Sequence, residues 1–284
     1  MELFGGAGHS LEIVKRLSKK GILIGIDRDD EAIEAASKKL EQYKNVKYVH
    51  GNHDDIKEIL NDLGIEKVDG ILLDLGVSSY QLDERTRGFS YMSDNALDMR
   101  MDKTQELTAK DVVNNYSEEE LIKILTVYGE ERFARQIVAN ICRSRQEKEI
   151  ETTGELVEII KRSIPISKQK DGHPAKRTFQ AIRIEVNNEI GPLFSTVKDC
   201  IDVLNDEGRL CIITFHSLED RGVKQAYVEA EGVCSCPKDL PYCVCGYKSE
   251  GKIINKKPII ATKEEQEENS RSKSAKLRIF EKIN

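Results

Sequence analysis

The sequence predicts an α/β protein: a parallel sheet with helices on both faces, interrupted by an all-helical insert. Three observations predict it. Apolar runs that end in an acid alternate with helix-period stretches up to Asp74. From Thr108 to Ser163 every apolar pattern has helical spacing. The alternation resumes at about Arg177 and closes on a strand pattern. Parallel strands need long crossovers, so strand and helix must alternate along the chain.

Taken in order, Gly5-Gly6-Ala7-Gly8-His9-Ser10 leads into Leu11 to Lys19, where Leu11, Val14 and Leu17 recur at helical spacing. Gly21 closes that helix, and Ile22 to Ile26 is a buried strand ending at Asp27. Ala32, Ile33, Ala36 and Leu40 share one helical face. Val46 to Val49 is a short strand and Ile56 to Leu63 a helix. Val68 to Asp74 is a second buried strand ending in an acid. Leu82 to about Asp102 is polar, with Gly88, Phe89 and three methionines. In the insert, Ser117 and Glu120 have capping-box spacing. Leu121, Ile124, Leu125 and Tyr128 form one face there, and Phe133, Ile137, Val138 and Ile141 another. A long helical stretch runs to Leu204, and Leu210 to Phe215 is a strand. Lys263 to Glu268 reads as a charged, mobile stretch, and Lys276 to Phe280 as the last strand. The predicted domains are 1–103 and 173–284 for the α/β part and 104–172 for the insert.

Composition narrows the function. A net charge of −6 argues against loose, sequence-independent nucleic-acid binding, which needs a broad basic surface. It leaves room for a local basic face: Lys168, Lys170, His173, Lys176, Arg177 and Arg183 lie in a stretch short of acids. The competing reading is a solvated loop. No apolar run approaches the roughly 20 residues that span a bilayer. The N-terminus has no targeting pattern, so no membrane partner and a cytoplasmic location are expected. Oligomeric state is not legible.

In open parallel sheets, ligands bind beyond the carboxyl ends of the strands. The glycine cluster, Asp27 and Asp74 would meet there. Asp27 lies about 20 residues beyond the glycines, where a carboxylate can accept both hydroxyls of a ribose. That geometry serves NAD and S-adenosylmethionine alike, and a helix N-cap is the structural alternative. Phe215-His216-Ser217-Leu218-Glu219-Asp220-Arg221 is a second polar cluster at a strand end. Its alternative is a capping and salt-bridge set, with His216 a satisfied, partly buried ring.

Longer stretches carry a specific resemblance. They are Gly8-His9-Ser10, Gly25-Ile26-Asp27-Arg28-Asp29, Gly70 to Ser79 with Gln81-Leu82-Asp83, Arg87-Gly88-Phe89-Ser90 and Leu97 to Asp102. Tyr128-Gly129-Glu130-Glu131-Arg132, His173-Pro174-Ala175 with Arg177 to Ala181, Phe215 to Arg221 and Ser274 to Arg278 follow. In this order the sequence resembles the 16S ribosomal RNA (cytosine-N4)-methyltransferases of the MraW type, along nearly its whole length. The resemblance implies a class I, Rossmann-like methyltransferase sheet with the helical insert as substrate-recognition domain. It implies S-adenosylmethionine as cofactor, with Ala7, Gly8, His9, Asp27, His53, Asp74 and Gln81 around it. It implies 16S ribosomal RNA in the small subunit as partner and cytosine 1402 of the decoding region as target. His53 falls where the family places an aromatic against the adenine. Family members carry a further helix and first strand before the glycine loop, whereas this sequence begins inside the loop. The expectation is therefore that the central N-terminal strand is missing, through a misassigned start.

Chemistry assigns the remaining roles. An exocyclic cytosine amine is a poor nucleophile, and an acceptor beside its N–H helps it attack; Asp74 is the candidate, with Ser78 in support and His216 on the substrate side. The target base must leave its stack to reach a buried methyl donor. Lys176, Arg177 and Arg183 are the candidate grips on RNA backbone. Cys234, Cys236, Cys243 and Cys245 form two C-x-C pairs and offer four thiolates for a structural zinc. A loop of reduced thiols explains them equally. Two other functions remain open: a nicotinamide-dependent oxidoreductase, and a catalytically impaired ribosome-assembly factor.

Overall fold

A computed structural model describes residues 2–3, 7–77, 81, 84–169, 172–232, 236, 242, 244–246 and 248–283. In chain order the elements are β1 (Glu2–Leu3), α1 (Gly8–Val14), β2 (Leu23–Asp27), α2 (Asp30–Lys39), β3 (Val46–His50), α3 (Ile56–Asp62) and β4 (Val68–Asp74). Then come α4 (Ala109–Asn115), α5 (Glu118–Val127), α6 (Ala134–Glu147), α7 (Thr153–Ser163) and α8 (Lys176–Asn187). The last are α9 (Leu193–Asp202), β5 (Leu204–Thr214), α10 (Ser217–Glu231), β6 (Gly251–Ile253), β7 (Ile259–Ile260), α11 (Lys263–Glu268) and β8 (Lys276–Lys282). Two compact units result: Met1–Gly76 with Ile190–Asn284, and Val77–Glu189.

The first unit holds all eight strands of the described residues. β1, β2 and β3 pair in parallel, in that order. β4 pairs β5 in parallel, β8 pairs β5 antiparallel, and β6 and β7 pair β8. Leu73, Leu210, Ile212 and Phe280 bury one sheet core with Val197, Cys200 and Ile201 of α9 and Val223 and Tyr227 of α10. Full burial of one such side chain contributes about 1.5–3 kcal/mol. The Tyr227 hydroxyl is satisfied because it donates to Leu210 O at 3.0 Å. Asp29 starts α2 by accepting from Glu31 N–H at 3.1 Å. Acids fill that helix's first turn and Lys38 and Lys39 its last, as the helix dipole favours.

The first strand, expected to be missing, is present as two residues: Glu2 pairs Gly25 and Leu3 pairs Ile26. It packs beside β4 without a ladder. Ahead of it, a cavity of about 650 Å³ opens between α1, β2 and β4. Ile13, Leu23, Ile24, Gly70, Ile71 and Leu72 are among its walls. Among the described residues β1–β3 and β4–β8 form two separate ladders.

The second unit is helical and wider than the predicted 104–172. Phe89, Leu97, Met99 and Met101, before the predicted start, bury themselves in its core. So do Phe179, Ile182 and Val186 of α8, beyond its predicted end. Polarity hid the first segment, in which Phe89, Leu97, Met99 and Met101 are buried among polar residues while Met92 is exposed. The side chain of Asn187 stitches that segment to α8. It donates to Met99 O at 2.8 Å and accepts from Met101 N–H at 2.8 Å. The capping box at α5 forms: Ser117 Oγ accepts from Glu120 N–H and Glu120 accepts from Ser117 N–H. The long helical stretch predicted to Leu204 breaks at Asn188, which is left-handed at φ 47°, and restarts after Pro192. Lys263 to Glu268, read as mobile, is helix α11 because Thr262 accepts from Glu265 N–H at 3.2 Å.

Strand alternation makes the cavity testable. Leu23 N–H donates to Asn45 O and Leu75 N–H to Ile213 O, so the amides of Ile24 and Leu72 point the other way, toward the cavity. We expect both to exchange hydrogen far faster than the amide of Ile212, which lies between two ladders. Equal protection at the three positions in an amide-exchange experiment would show that the cavity is closed.

Candidate active site

The site is built at the carboxyl ends of β2, β3, β4 and β5. Ladder register decides which side chains meet. Asp27 pairs His50, and Gly51 N–H donates to Asp27 O at 2.9 Å. The chain leaving β3 therefore passes Asp27 before it turns at His53. On the other ladder Asp74 pairs Ile213, and β5 then runs out into His216.

Ala7, almost wholly buried, caps α1 in the left-handed region at φ 54°. Gly8 and His9 follow, both exposed. A Cβ on Gly8 would meet nothing within 4 Å, so the surface there is open to a ligand. Gly5 and Gly6 lie outside the described residues.

Asp27 accepts from Asp29 N–H at 2.9 Å through Oδ1. The helix cap is Asp29, so capping does not account for Asp27. Burial pushes the Asp27 carboxyl up to about 6, against the pull of the Asp29 and Arg28 amides and the Arg28 charge. His53 opens a single 3-10 turn, His53–Asp55, capped by Asn52. Burial pushes its ring down to about 4, even with Asp54 Oδ1 at 3.6 Å; the Arg28 charge adds to that push. A neutral, flat ring results, suited to stacking. Thr196 Oγ donates to Asp54 Oδ1 at 2.5 Å and ties this turn to α9.

Asp74 is the most exposed to electrostatic conflict. Burial raises its carboxyl above the ordinary range, the charge of Glu219 raises it further, and His9 opposes both. Among the described residues its Oδ1 is buried with no hydrogen-bond partner. A buried acceptor left unpaired costs about 1–3 kcal/mol, so such an atom marks a place for a donor.

His216 caps α10: its Nδ1 accepts from Glu219 N–H at 3.4 Å. That bond places the ring proton on Nε2, which lies 3.1 Å from Glu219 Oε1. Glu219 Oε2 in turn accepts from Phe215 N–H at 2.7 Å and His216 N–H at 3.2 Å. The capping alternative is thus realised, and it sits at the end of the strand beside Asp74. Glu219, 1 % exposed, was quoted in the motif but given no role by the sequence. Its signal was the three-residue spacing from His216, a capping-box spacing with His in the Ser/Thr place.

The other candidates lie elsewhere. Gln81 is buried in the helical unit. Ser78 falls outside the described residues. Lys176 and Arg177 are exposed on the first turn of α8, and Arg177 also donates to Glu130 O at 3.3 Å. Arg183 is engaged: its guanidinium grips Glu189 at 2.9 and 2.7 Å in a mostly buried, bidentate pair. Of the zinc candidates, Cys234 and Cys243 fall outside the described residues. Cys236 accepts from Val244 N–H at 3.2 Å, and Cys245 is exposed. Among the described residues no four thiolates gather.

Acids end β2 and β4, and among the described residues Asp74 Oδ1 is a buried acceptor with no hydrogen-bond partner; strand ends of this kind fit a Rossmann-like sheet of the methyltransferase class. The chain belongs to the MraW methylase family, whose model matches residues 2–283. It is 60 % identical over 279 residues to ribosomal RNA small subunit methyltransferase H of Clostridium botulinum, covering 98 % of this chain and 90 % of that protein. It is 58 % identical over 281 residues to the protein of the same name from Lachnospira eligens, covering 98 % of this chain and 89 % of that protein.

The raised Asp27 carboxyl fixes a sign. Between the ordinary value near 3.8 and about 6 the folded state holds the proton more tightly than the unfolded chain. Stability therefore falls as pH rises through that window, and the ionised group costs on the order of 3 kcal/mol above it. Asp27→Asn keeps the acceptor for Asp29 N–H and removes the charge. It should raise the urea midpoint at pH 7.5 and leave it almost unchanged near pH 4. Equal midpoints for the two proteins at pH 7.5 would contradict this.

Proposed function

We propose that this protein transfers a methyl group from S-adenosylmethionine to the exocyclic N4 of a cytosine in small-subunit ribosomal RNA, in the cytoplasm. The observation that carries it is Asp74 Oδ1, a buried acceptor at the end of β4 with no hydrogen-bond partner among the described residues, in a chain whose relatives bear the name of a small-subunit RNA methyltransferase. Position 1402 of the 16S RNA is the proposed target.

The residues present fit the cofactor. Asp27 offers a carboxylate for the ribose hydroxyls, the neutral His53 ring a face for the adenine, and Ala7, Gly8 and His9 an open backbone rim. Gln81 is proposed to complete the cofactor set, and Ser78, outside the described residues, to support Asp74. When bound, S-adenosylmethionine supplies an electrophilic methyl group on a sulfonium. The protein's own task is to present the amine. Its nitrogen lone pair is conjugated with the ring, so the amine is flat and weakly nucleophilic. Asp74 Oδ1 accepts one amine N–H, which favours the pyramidal form and aims the lone pair. Alignment and fixed charge supply most of the acceleration. His216 lies on the base side, its ring oriented by the Glu219 N–H bond to Nδ1. The flipped-out cytosine is delivered while Lys176 and Arg177 hold RNA phosphates. A nicotinamide dehydrogenase would leave Asp74 and the His216–Glu219 pair without work.

Asp74→Ala should leave a folded protein, because it removes a poorly solvated carboxyl whose buried Oδ1 makes no hydrogen bond among the described residues, and should lower methyl transfer to unmodified small subunits by about a hundredfold or more. Tritiated methyl transfer followed by mapping of the labelled nucleotide measures this. Near-normal transfer by the variant would sink the assignment. Binding of particles without any transfer by the unaltered protein would favour an assembly factor. Lys176→Glu with Arg177→Glu should weaken particle binding and flatten its salt dependence, leaving cofactor affinity intact; unchanged affinity across salt concentrations would count against it. Asp27→Asn should weaken cofactor binding about tenfold or more, read by calorimetry.

A further inference from the structure

Asp74 and Glu219 are two carboxyl groups on neighbouring elements of one unit, yet only Glu219 has work in the fold. Its Oε2 takes the amides of Phe215 and His216, and its Oε1 faces His216 Nε2. Among the described residues Asp74 Oδ1 and His216 Nε2 are both buried without a hydrogen-bond partner. The β4–β5 register puts Asp74 opposite Ile213, with the turn to His216 and Glu219 just beyond. Among the described residues, the charged or titratable groups that act on the Asp74 carboxyl are His9 from α1, which lowers it, and Glu219 from α10, which raises it.

We propose that Glu219 is a positioning residue for the transfer: clamped on the Phe215 and His216 amides, it fixes the His216 ring and holds a second negative charge toward Asp74, so that Asp74 takes the proton the methylated amine sheds. This rests on the proposed methyl transfer. The amine nitrogen gives its lone pair to the incoming methyl carbon, the carbon–sulfur pair remains on sulfur, and one amine proton passes to the Asp74 carboxylate. Without that uptake the product would remain a cation against a buried site. A like charge nearby makes Asp74 a better proton acceptor, and the charge on His9 limits the effect.

A capping box accepts Gln in place of Glu at this position. Glu219→Gln therefore keeps the helix cap and removes only the charge. The first readout is the titration of the Asp74 carboxyl carbon by isotope-edited NMR in the cofactor-free protein. Its midpoint should fall by about half a pH unit or more in Glu219→Gln. His9→Ala should move it the opposite way. The acid limb of the pH–rate profile for methyl transfer should shift down with Glu219→Gln, whereas Glu219→Asp should keep the limb and lower kcat. An Asp74 midpoint unmoved by Glu219→Gln overturns the proposal, as does a loss of rate equal at every pH. Should Glu219→Gln and Glu219→Asp both fail to fold, Glu219 is a structural residue and the proposal falls. Absence of methyl transfer by the unaltered protein defeats the proposed function instead, since the NMR titration is read without cofactor.

Discussion

The ladder between β4 and β5 is the constraint on which the site depends. It joins two segments separated by the whole helical unit in sequence, and it fixes Asp74 opposite Ile213. Leu75 N–H still reaches Ile213 O at 3.0 Å, so the ladder holds past the acid. A one-residue slip would turn Asp74 to the other face of the sheet. The register shift between Val68 and Gly70 lies at the far end, away from the chemistry. Burial of Leu73, Leu210 and Ile212 pins the pairing and thereby fixes where His216 and Glu219 emerge.

The same burial sets the electrostatics. Asp27 and Asp74 both end buried strands, and both carboxyls are raised because their charge is poorly solvated. A fold selected for stability alone would place neutral residues there. Acids kept where they destabilise the empty protein are the pattern of sites that gain their partners from a ligand. His53 follows the same logic with opposite sign, since burial keeps its ring uncharged.

Much of this was legible in the sequence. Buried parallel strands read as apolar runs, so β2 and β4 and their terminal acids were visible without a structure. Capping spacing announced α5. The helical unit was harder: Phe89, Leu97, Met99 and Met101 lie in a polar segment with no period, and only their burial assigns them to that core. The break between α8 and α9 was invisible because apolar spacing continues on both sides of Asn188. Glu219 escaped because a cap and a charge near a reacting group use the same side chain. The engagement of Arg183 could not be read either, since its partner lies six residues on, beyond the helix end.

Motif length is therefore a poor guide to chemistry. Gly88 stands at φ 73°, and a Cβ there would come within 2.4 Å of Ala96 O. A Cβ on Gly129 would come within 2.7 Å of the carbonyls of Leu125 and Arg177, so α8 could not dock at that distance. Arg87 is spent on the carbonyls of Arg100 and Met101. These residues belong to the family-specific stretches, and each is explained by packing within the helical unit. Gln180, donating to Tyr128 O at 3.0 Å, joins two such stretches directly. The helical unit's motifs thus hold the first turn of α8 in place, and that turn carries Lys176 and Arg177 outward. On the proposed function, substrate recognition rests there on how rigidly two cations are presented rather than on how many the sequence contains.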